Sequence, residues 1–526
     1  MQAHSERPHR LDALASRRFD VLVVGGGITG CGIARDAALR GLAVALVEQE
    51  DFASGTSSRS SRLVHGGVRY LEHGHLHLVF ESSAERRRLL RLGPHLVRPL
   101  AFTWPVYAGA RIPRWKLGAG LALYDALALF RNVGRHRRLS RQGVLEREPM
   151  LASDGLRGGA MYYDASTNDA RLTLANAVAA WEAGAVVRNH AVAEQPIIQA
   201  GRTIGMRVRD ALEPSRTVDV HASVVVNATG PWSGEIRGSK GAHIAVPRDR
   251  LGNNDALTLL SPDDGRVFFV LPGGVDAIVG TTETTAPSNP SEVRASREEV
   301  RYLLDAANRF FPRAALRDED VIAAWAGIRP LVPTAGSAGS ASREHTIATE
   351  PDGVISITGG KLTTYRVMAA QVVDAVMQRL GRKSDDRATR DVVLPGGDIA
   401  SLDALIAAIA RTTNDVQLAE HLAVNHGSRW SAVWAECATD AAARVTSELP
   451  YTQGELRYAV RNESALTLAD LLIRRTHLAF ETRDHGLSVA PAVAECVAPL
   501  LDWTTEERQR AVDDYARDVA RTFTID

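Results

Sequence analysis

The stretch VLVVGGGITGCGIARDAALRGLAVALVEQE, residues 21–50, decides the fold of this chain. Its apolar runs predict a buried strand over 19–24, a helix over 28–40 and a second strand over 43–47. A strand that returns through one helix to a parallel neighbour forms a βαβ unit. We therefore expect a doubly wound α/β domain near the N-terminus, with a ligand at the turn between strand and helix.

Three glycines in this turn, Gly25, Gly27 and Gly30, have the spacing G-x-G-x-x-G. The first permits a tight turn, the second lets the backbone approach a pyrophosphate, and the third allows close packing of helix and strand. Glu48 ends the second strand, where a carboxylate would accept hydrogen bonds from an adenosine ribose. This motif predicts a dinucleotide site, and by itself it leaves NAD and FAD open.

Two later segments favour FAD. VVVNATGPW, residues 224–232, is similar to the strand-to-turn contact of two-domain flavoproteins, which places Ala228 and Gly230 beside the cofactor. ISITGGKLTTYR, residues 355–366, predicts another strand, glycine turn and helix start, whose dipole would stabilise negative charge on a reduced flavin. The backbone groups expected at the pyrimidine end of the flavin belong to Gly360, Lys361, Leu362 and Thr363.

Composition limits the class of protein. The 526 residues predict two or three domains, and 62 basic against 62 acidic residues argue against nucleic acid as a partner. Three cysteines far apart in sequence indicate a reducing compartment and no metal cluster. We see neither a secretory signal nor an apolar run of about 18 residues that would span a membrane.

Several further motifs occur in one order along the chain. They are TSSRSSRLVHGGVRYLEHG (56–74), GAHIAVPR (241–248), IVGTTET (278–284), WAGIRPLVP (325–333), SREHTI (342–347) and GGKLTTYR (359–366). Together they resemble the FAD-dependent glycerol-3-phosphate dehydrogenases of the quinone-reducing, membrane-associated kind. The resemblance implies oxidation of sn-glycerol 3-phosphate to dihydroxyacetone phosphate, with electrons passing to a membrane quinone, and a homodimer.

The resemblance also implies the architecture. It predicts a Rossmann-like FAD-binding domain with an interleaved β-sheet substrate domain, as in D-amino-acid oxidase and glutathione reductase, followed by an all-α C-terminal cap. We expect a polar N-terminal arm over 1–18, the two interleaved domains over 19–393 and the cap over 394–526. The FAD segments are about 19–75, 160–235 and 345–385, and the substrate segments are about 76–159 and 236–344.

Site residues follow by position in these motifs. The resemblance places Arg69, Tyr70 and Arg343 near the substrate phosphate, which suits forked guanidinium donors. Arg329 and Lys361 then lie nearer the reacting carbinol, where a cation would stabilise a developing alkoxide. His243 is the candidate base for the hydroxyl proton. The remaining predicted contacts are with the cofactor: Thr56, Ser57 and Ser60 through hydroxyls, Leu63 against the flavin ring and His65 as a positioning residue.

Residues 111–141 predict contact with a lipid surface. Eight arginines and lysines flank the apolar run 117–130, and Asp125 is the single acid among them. A run of 14 residues is too short to span a bilayer but suits a helix lying among anionic headgroups. We expect Leu121 and Leu127 to face the lipid, which would place the protein peripherally on the cytoplasmic side of the cell membrane. A buried core helix with a basic rim is the alternative.

Three other functions remain open on the sequence. One is a glycerol-3-phosphate oxidase that passes electrons to O2, and another is an amino-acid oxidase that binds a carboxylate. The third is a flavin-binding scaffold without turnover, against which the four cations Arg69, Arg329, Arg343 and Lys361 argue. The histidine pattern at 73–77 has a spacing that would spread the rings around a helix, so we expect no metal.

Overall fold

The computed structural model describes residues 7–68, 71, 74–129, 132–234, 238–329, 345–383, 385, 387–437 and 443–526. Two β-sheets organise them. Numbered along the chain, the first sheet contains β1 (Phe19–Val24), β2 (Val44–Val47), β7 (Val186–Arg188), β8 (Ala191–Gln199), β9 (Arg202–Asp210), β10 (Thr217–Asn227), β17 (His345–Thr349) and β18 (Ile355–Gly359). Its order is β17-β18-β10-β1-β2-β7, and β8 and β9 extend from β10 as an antiparallel meander.

The second sheet is largely antiparallel, and its strands come from chain segments that lie between those of the first sheet in sequence. Its strands are β3 (Leu63–Val64), β4 (Val97–Tyr107), β5 (Arg137–Leu139), β6 (Leu156–Thr167), β11 (Ser239–Pro247), β12 (Ala256–Leu260), β13 (Val267–Pro272), β14 (Asp276–Gly280), β15 (Thr284–Thr285) and β16 (Ala323–Arg329). The main path is β15-β11-β14-β13-β12-β4-β6-β3, with β16 beside β11. Strands β11 and β16 bring two parts of the chain that are about eighty residues apart in sequence into direct register.

The α-helices lie before, between and after these strands in sequence. The first ten are α1 (Arg7–Ala15), α2 (Ile28–Leu39), α3 (Leu76–Leu92), α4 (Arg114–Leu127), α5 (Arg141–Arg147), α6 (Asp169–Glu182), α7 (Arg248–Leu251), α8 (Arg297–Phe310), α9 (Tyr365–Arg379) and α10 (Arg387–Asp391). The C-terminal ones are α11 (Leu402–Thr413), α12 (Val416–His426), α13 (Trp430–Ala435), α14 (Gln453–Asn462), α15 (Leu478–Glu481), α16 (Ala490–Leu501) and α17 (Thr505–Phe523). This confirms the predicted Rossmann-like fold with a second sheet and a helical C-terminal part.

Strand β1 is the centre of the dinucleotide fold. It pairs in parallel with β2 on one side and with β10 on the other, and Val21 faces Val44 and Val224 in these ladders. Helices α2, α6 and α9 pack together on the sheet. Since helices cover a parallel sheet, its strands are continuously apolar, as the sequence of β1 and β2 predicts.

Residues 7–18 differ from the polar arm that we expected over 1–18. Residues 7–15 form α1, which lies against β10. Leu11 is 4% exposed and Leu14 is fully buried, in one cluster with Phe19 and Val220. Their i, i+3 spacing puts both leucines on one face of the helix, which explains the packing.

Helix α4 also differs in part from prediction. Leu121, expected to face lipid, is fully buried together with Tyr124, and both belong to the largest apolar cluster. Leu127 is half-buried at the edge of this cluster. The inner face of the helix is therefore core, and its exposed large hydrophobic side chains are Trp115 and Leu123. Among the described residues, no helix is both long and apolar enough to cross a bilayer.

The C-terminal helices share a core with the second sheet. The rings of Trp325 in β16 and Phe480 in α15 meet edge to face, 5.1 Å between centroids. Phe480 also contacts Phe523 of α17, with 5.0 Å between centroids. Such edge-to-face pairs of buried aromatic rings are favourable beyond their buried area. The helices thus support the strand that ends at Arg329.

Candidate active site

The glycine turn between β1 and α2 requires its glycines. Gly25 has φ +111°, and a Cβ there would lie 2.5 Å from the carbonyl oxygen of Ala228. A Cβ at Gly30 would lie 1.8 Å from the carbonyl oxygen of Gly25. The backbone therefore approaches closely at both positions, and the first turn of α2 faces an open groove.

A carboxylate and a hydroxyl complete this turn. Glu48, 8% exposed, accepts hydrogen bonds from the backbone N–H of Gly26 at 2.6 Å and of Glu50 at 2.9 Å. Ser57 Oγ accepts the N–H of Ile28 at 2.9 Å. Burial first, and the charges of Glu50 and Asp51 in addition, raise the pKa of Glu48. A partly desolvated acceptor at this place suits a ribose hydroxyl.

A groove with a cavity volume of about 370 Å³ runs from Glu48 past the turn to Lys361. Every predicted cofactor contact lines it except Gly30 and Thr363. Gly30 instead allows α2 to pack closely on the turn, since a Cβ there would meet the carbonyl oxygen of Gly25. The groove thus offers a helix N-terminus, an acid and a hydroxyl-rich loop in one line, which fits an adenine dinucleotide.

The hydroxyl loop is itself held by the protein. Thr56 Oγ1 donates to the carbonyl oxygen of Ile328 at 2.8 Å, and Ser60 Oγ donates to Asp169 Oδ2 at 2.6 Å. Both side chains therefore have a structural partner besides any cofactor contact. Their contacts with the flavin phosphates or ribityl chain stay predictions.

The far end of the groove is formed by the turn after β18. Gly359 and Gly360 have φ +81° and +90°, and a Cβ at Gly360 would lie 2.2 Å from Met368 Cε. Thr363 Oγ1 accepts the N–H of His65 at 3.1 Å and donates to its carbonyl oxygen at 3.2 Å. This reciprocal pair locks the loop after β3 to the helix start at Leu362, beside Lys361.

His243 reaches the groove from β11. Its Nε2 lies 2.8 Å from Ser61 Oγ, and its ring stacks on Trp325 with 5.5 Å between centroids and 13° between planes. The side chain is 3% exposed, and Nδ1 has no hydrogen-bond partner among the described residues. Ser61, which lines the groove, was missed from the sequence because one hydroxyl in a serine-rich loop carries no distinguishing signal.

The environment of His243 keeps its imidazole neutral. Burial, with the charges of Arg329 and Arg62, lowers its pKa to about 3. A histidine in the unfolded chain has a pKa of about 6.5. Between these values the unfolded state binds a proton that the native state does not, so the unfolding free energy falls as the pH falls.

We expect this acid sensitivity to decrease when His243 is replaced. Between pH 7 and 5 the wild type should lose more unfolding free energy than His243→Asn, by up to about 1.4 kcal/mol per pH unit below pH 6.5. Urea unfolding at pH 7.5, 6.5 and 5.5 with equal cofactor measures the difference. His221→Asn, an exposed histidine of β10, should follow the wild type. Equal pH slopes in His243→Asn and the wild type would contradict the buried neutral imidazole.

Arg329 ends β16 at the same place. Its Nη2 donates to Thr281 Oγ1 at 2.8 Å and to the carbonyl oxygen of Thr282 at 3.1 Å, and Nη1 donates to Ser239 Oγ at 3.3 Å. A Cβ at Gly241 would lie 2.4 Å from Nη2, so this glycine makes room for the guanidinium group. Three neutral oxygen atoms thus fix the orientation of the fork.

A second cavity, of about 120 Å³, joins the groove here. The two cavities share Ser61, Leu63, His65 and Arg329. Arg266, Thr281 and Thr282 line the smaller one, which has the size of a small polar metabolite. Sequence reasoning missed Arg266, since nothing distinguishes it from the other cationic residues. Arg69, Tyr70 and Arg343, the predicted phosphate contacts, lie outside the described residues.

Comparison with known families gives two matches. The family described as FAD dependent oxidoreductase matches residues 20–366, and the C-terminal domain of alpha-glycerophosphate oxidase matches residues 387–508. Glycerol-3-phosphate dehydrogenase 2 of Mycobacterium tuberculosis is 38% identical over 524 residues, covering 95% of this chain and 88% of the relative. Aerobic glycerol-3-phosphate dehydrogenase of Staphylococcus saprophyticus is 36% identical, with 95% of each chain covered.

Solved structures agree with the sequence relatives. Glycerol-3-phosphate dehydrogenase of Bacillus halodurans, complexed with FAD, superposes with a TM-score of 0.82 at 31% identity, covering 99% of this chain and 98% of the other. L-alpha-glycerophosphate oxidase of Mycoplasma pneumoniae, with FAD bound, has a TM-score of 0.53 at 19% identity and covers 70% of this chain and 96% of the other. The second likeness concerns the fold alone.

Proposed function

Because the chain belongs to the FAD-dependent oxidoreductases and, among them, to the glycerol-3-phosphate dehydrogenase and oxidase flavoenzymes, we propose that it oxidises sn-glycerol 3-phosphate to dihydroxyacetone phosphate and passes the electrons to a membrane quinone. One observation carries the proposal. The small cavity shares Ser61 and Arg329 with the dinucleotide groove, and His243 lines that groove with its Nε2 2.8 Å from Ser61 Oγ. A three-carbon phosphate ester bound there would have a base and a cation beside its carbinol.

Charge and size support this substrate. The wall of the small cavity includes Arg266, Arg329, Thr281 and Thr282; the two carboxylates on it belong to Asp164, which pairs with Arg86, and Glu283. Guanidinium groups suit phosphate oxygens, while the hydroxyls suit a polyol. Guanidinium groups would also suit the carboxylate of an amino acid, so the flavin test with a D-amino acid separates the two substrates. A scaffold without turnover would not need arginines on the wall of this cavity.

The residues divide the chemistry among themselves. FAD, when bound, supplies the hydride acceptor, and Gly360, Lys361 and Leu362 would hold its pyrimidine end. His243 accepts the proton of the C2 hydroxyl, and Arg329 stabilises the negative charge that develops on that oxygen. Arg329 also lowers the pKa of His243. The negative charge that the substrate brings into the site opposes this effect, so substrate binding makes the imidazole a stronger base.

The test is the visible spectrum of the purified holoprotein. Anaerobic addition of sn-glycerol 3-phosphate should bleach the flavin band within one turnover, whereas glycerol or a D-amino acid should not. Peroxide formed per turnover in air separates a quinone-linked enzyme, which yields little, from an oxidase, which yields one equivalent. A flavin that stays oxidised with saturating substrate would overturn the proposal.

Quinone reduction at a membrane is supported by helices α3 and α4. Their exposed apolar side chains include Leu76, Phe80 and Trp115, the last 71% exposed, and a groove of about 540 Å³ lies beside Leu127. Basic residues flank α4, each worth about 1 kcal/mol near an anionic surface. The loop at Gly66 packs on Tyr124 and Ser83, and thereby connects both helices to the active site. We also expect the protein on the cytoplasmic side of the membrane and as a homodimer. Sedimentation equilibrium tests the homodimer.

Membrane contact should depend on the exposed leucines of this surface. We expect Leu123→Asp/Leu129→Asp to release the protein from anionic vesicles and to lower quinone reductase activity, because both side chains are exposed, 43% and 54%. Dye reductase activity should remain, since neither residue lines the groove or the small cavity. Vesicle sedimentation and the two assays measure this. Val416 is 70% exposed on α12, so Val416→Asp is the control variant. Equal release of Val416→Asp and Leu123→Asp/Leu129→Asp from the vesicles would contradict this membrane-binding surface.

A further inference from the structure

A short acidic turn after β2 connects three parts of the molecule. Its carboxylates belong to Glu48, Glu50 and Asp51, and each binds a different partner. Glu48 holds the glycine turn of the dinucleotide site through the N–H of Gly26. The other two carboxylates bind arginines that lie more than four hundred residues later. The turn therefore lies between the cofactor groove and the C-terminal helices.

The turn and the glycine loop are tied together twice. The N–H of Gly26 donates to Glu48 Oε2 at 2.6 Å, and the carbonyl oxygen of Gly26 accepts the N–H of Ala53 at 3.1 Å. Asp51 lies between these two attachment points. A displacement of Asp51 would therefore move the backbone that would face the pyrophosphate of bound FAD.

Asp51 is fully buried among cations of a π-helical turn, Asp470–Arg475. Its Oδ2 accepts Arg474 Nε at 2.7 Å and Arg475 Nη1 at 2.6 Å, and its Oδ1 accepts Arg475 Nη2 at 2.9 Å. Asp51, His190 and Asp470 have ligand atoms within 4.8 Å of one another, as in a metal site. Two guanidinium groups already supply the positive charge there, so the cluster is an ion-pair network. Removing one partner from such a network leaves a buried charge uncompensated.

Glu50 forms a second connection between this turn and the C-terminal helices, nearer the surface. Arg521, in the last turn of α17, donates from Nη1 to Glu50 Oε1 at 2.5 Å and from Nη2 to Oε2 at 3.2 Å. The two side chains are 37% and 35% exposed, so this pair can be broken without burying a lone charge. Arg521 and Thr56 also line one small cavity beside the cofactor groove.

We propose that Glu50 and Asp51 are positioning residues through which the C-terminal helices clamp the FAD-binding loop, so that FAD binding and docking of these helices stabilise each other. The coupling is reciprocal, as any linkage between two equilibria must be. Helices far from the flavin thus contribute to cofactor retention. The inference rests on FAD as cofactor and is independent of substrate and electron acceptor.

The first measurement is the affinity of the apoprotein for FAD, followed by quenching of flavin fluorescence. Glu50→Gln and Arg475→Lys should raise the Kd about 5- to 150-fold, the usual range of such couplings. Lysine keeps the charge at 475 but loses the forked contact with Asp51. Arg429→Met breaks an exposed pair with Glu182, 2.8 Å long, which joins the same two parts of the chain away from the groove. This control should leave the Kd unchanged.

The second measurement is hydrogen exchange with and without FAD. In the wild type, FAD should slow exchange of the backbone amides of residues 470–475 and 505–523, and in Glu50→Gln this protection of 505–523 should be lost. A merely structural effect of Glu50→Gln would alter hydrogen exchange equally in the FAD-free and the FAD-bound protein. If Arg475→Lys does not fold, the proposal is tested by the Kd of Glu50→Gln and by hydrogen exchange of the wild type with and without FAD. An unchanged Kd in folded Glu50→Gln, or no effect of FAD on residues 470–475, would overturn the proposal.

Discussion

Replacement of His243 by asparagine is expected to slow the anaerobic reduction of the flavin by sn-glycerol 3-phosphate by about 10²- to 10⁴-fold, the usual contribution of a general base. Asparagine keeps a neutral polar group at this position but cannot accept the hydroxyl proton. The imidazole is unprotonated before substrate binds, because burial and Arg329 hold its pKa low. The variant should therefore retain bound flavin and lose the chemical step.

Stopped-flow absorbance in single turnover measures this rate without interference from the electron acceptor. A rise in KM without a fall in the reduction rate would mean that His243 contributes to uniform binding only. His221→Asn, which changes an exposed histidine of β10, should reduce the flavin at the wild-type rate. A wild-type rate in His243→Asn would remove the histidine from the mechanism.

Arg329→Met is expected to lower kcat/KM by about 10²- to 10³-fold, since removal of one stabilising donor from a developing oxyanion has this effect. The fork of Arg329 is held by Thr281, Thr282 and Ser239 in a fixed orientation. Arg329→Lys should recover only part of the loss. An ammonium group keeps the positive charge, but it cannot make the contacts of the fork with the protein and at the same time stabilise the substrate oxygen.

Comparison of kcat and KM separates the two possible contacts of Arg329. A fall in kcat assigns it to the reacting oxygen, and a rise in KM alone assigns it to the phosphate. Arg266→Met, which changes the second arginine that lines the small cavity, should mainly raise KM. Arg309→Met changes a 60% exposed arginine of α8 and should do neither. An effect of Arg309→Met equal to that of Arg329→Met would contradict a specific role.

Much of the dinucleotide site could be predicted because its signals are local. The tight turn at Gly25, the helix start at Ile28 and the acid at Glu48 lie within thirty residues, and each depends on a backbone rule that short sequences obey. The same applies to the glycine turn before α9. By contrast, the burial of Leu121 could not be read from its apolar segment, because a lipid surface and a protein core select the same side chains.

The amino-acid sequence by itself determined the βαβ unit, the class of cofactor and, through its motifs, the family. Only the tertiary structure decided which side chains meet: Ser61 with His243, Arg329 with Thr281, and Asp51 with Arg475. These pairs join residues tens to hundreds of positions apart, so their contact depends on strand register and helix docking. Periodicity and turn chemistry act over a few residues, whereas the active site and the clamp on its cofactor loop arise from packing of the whole chain.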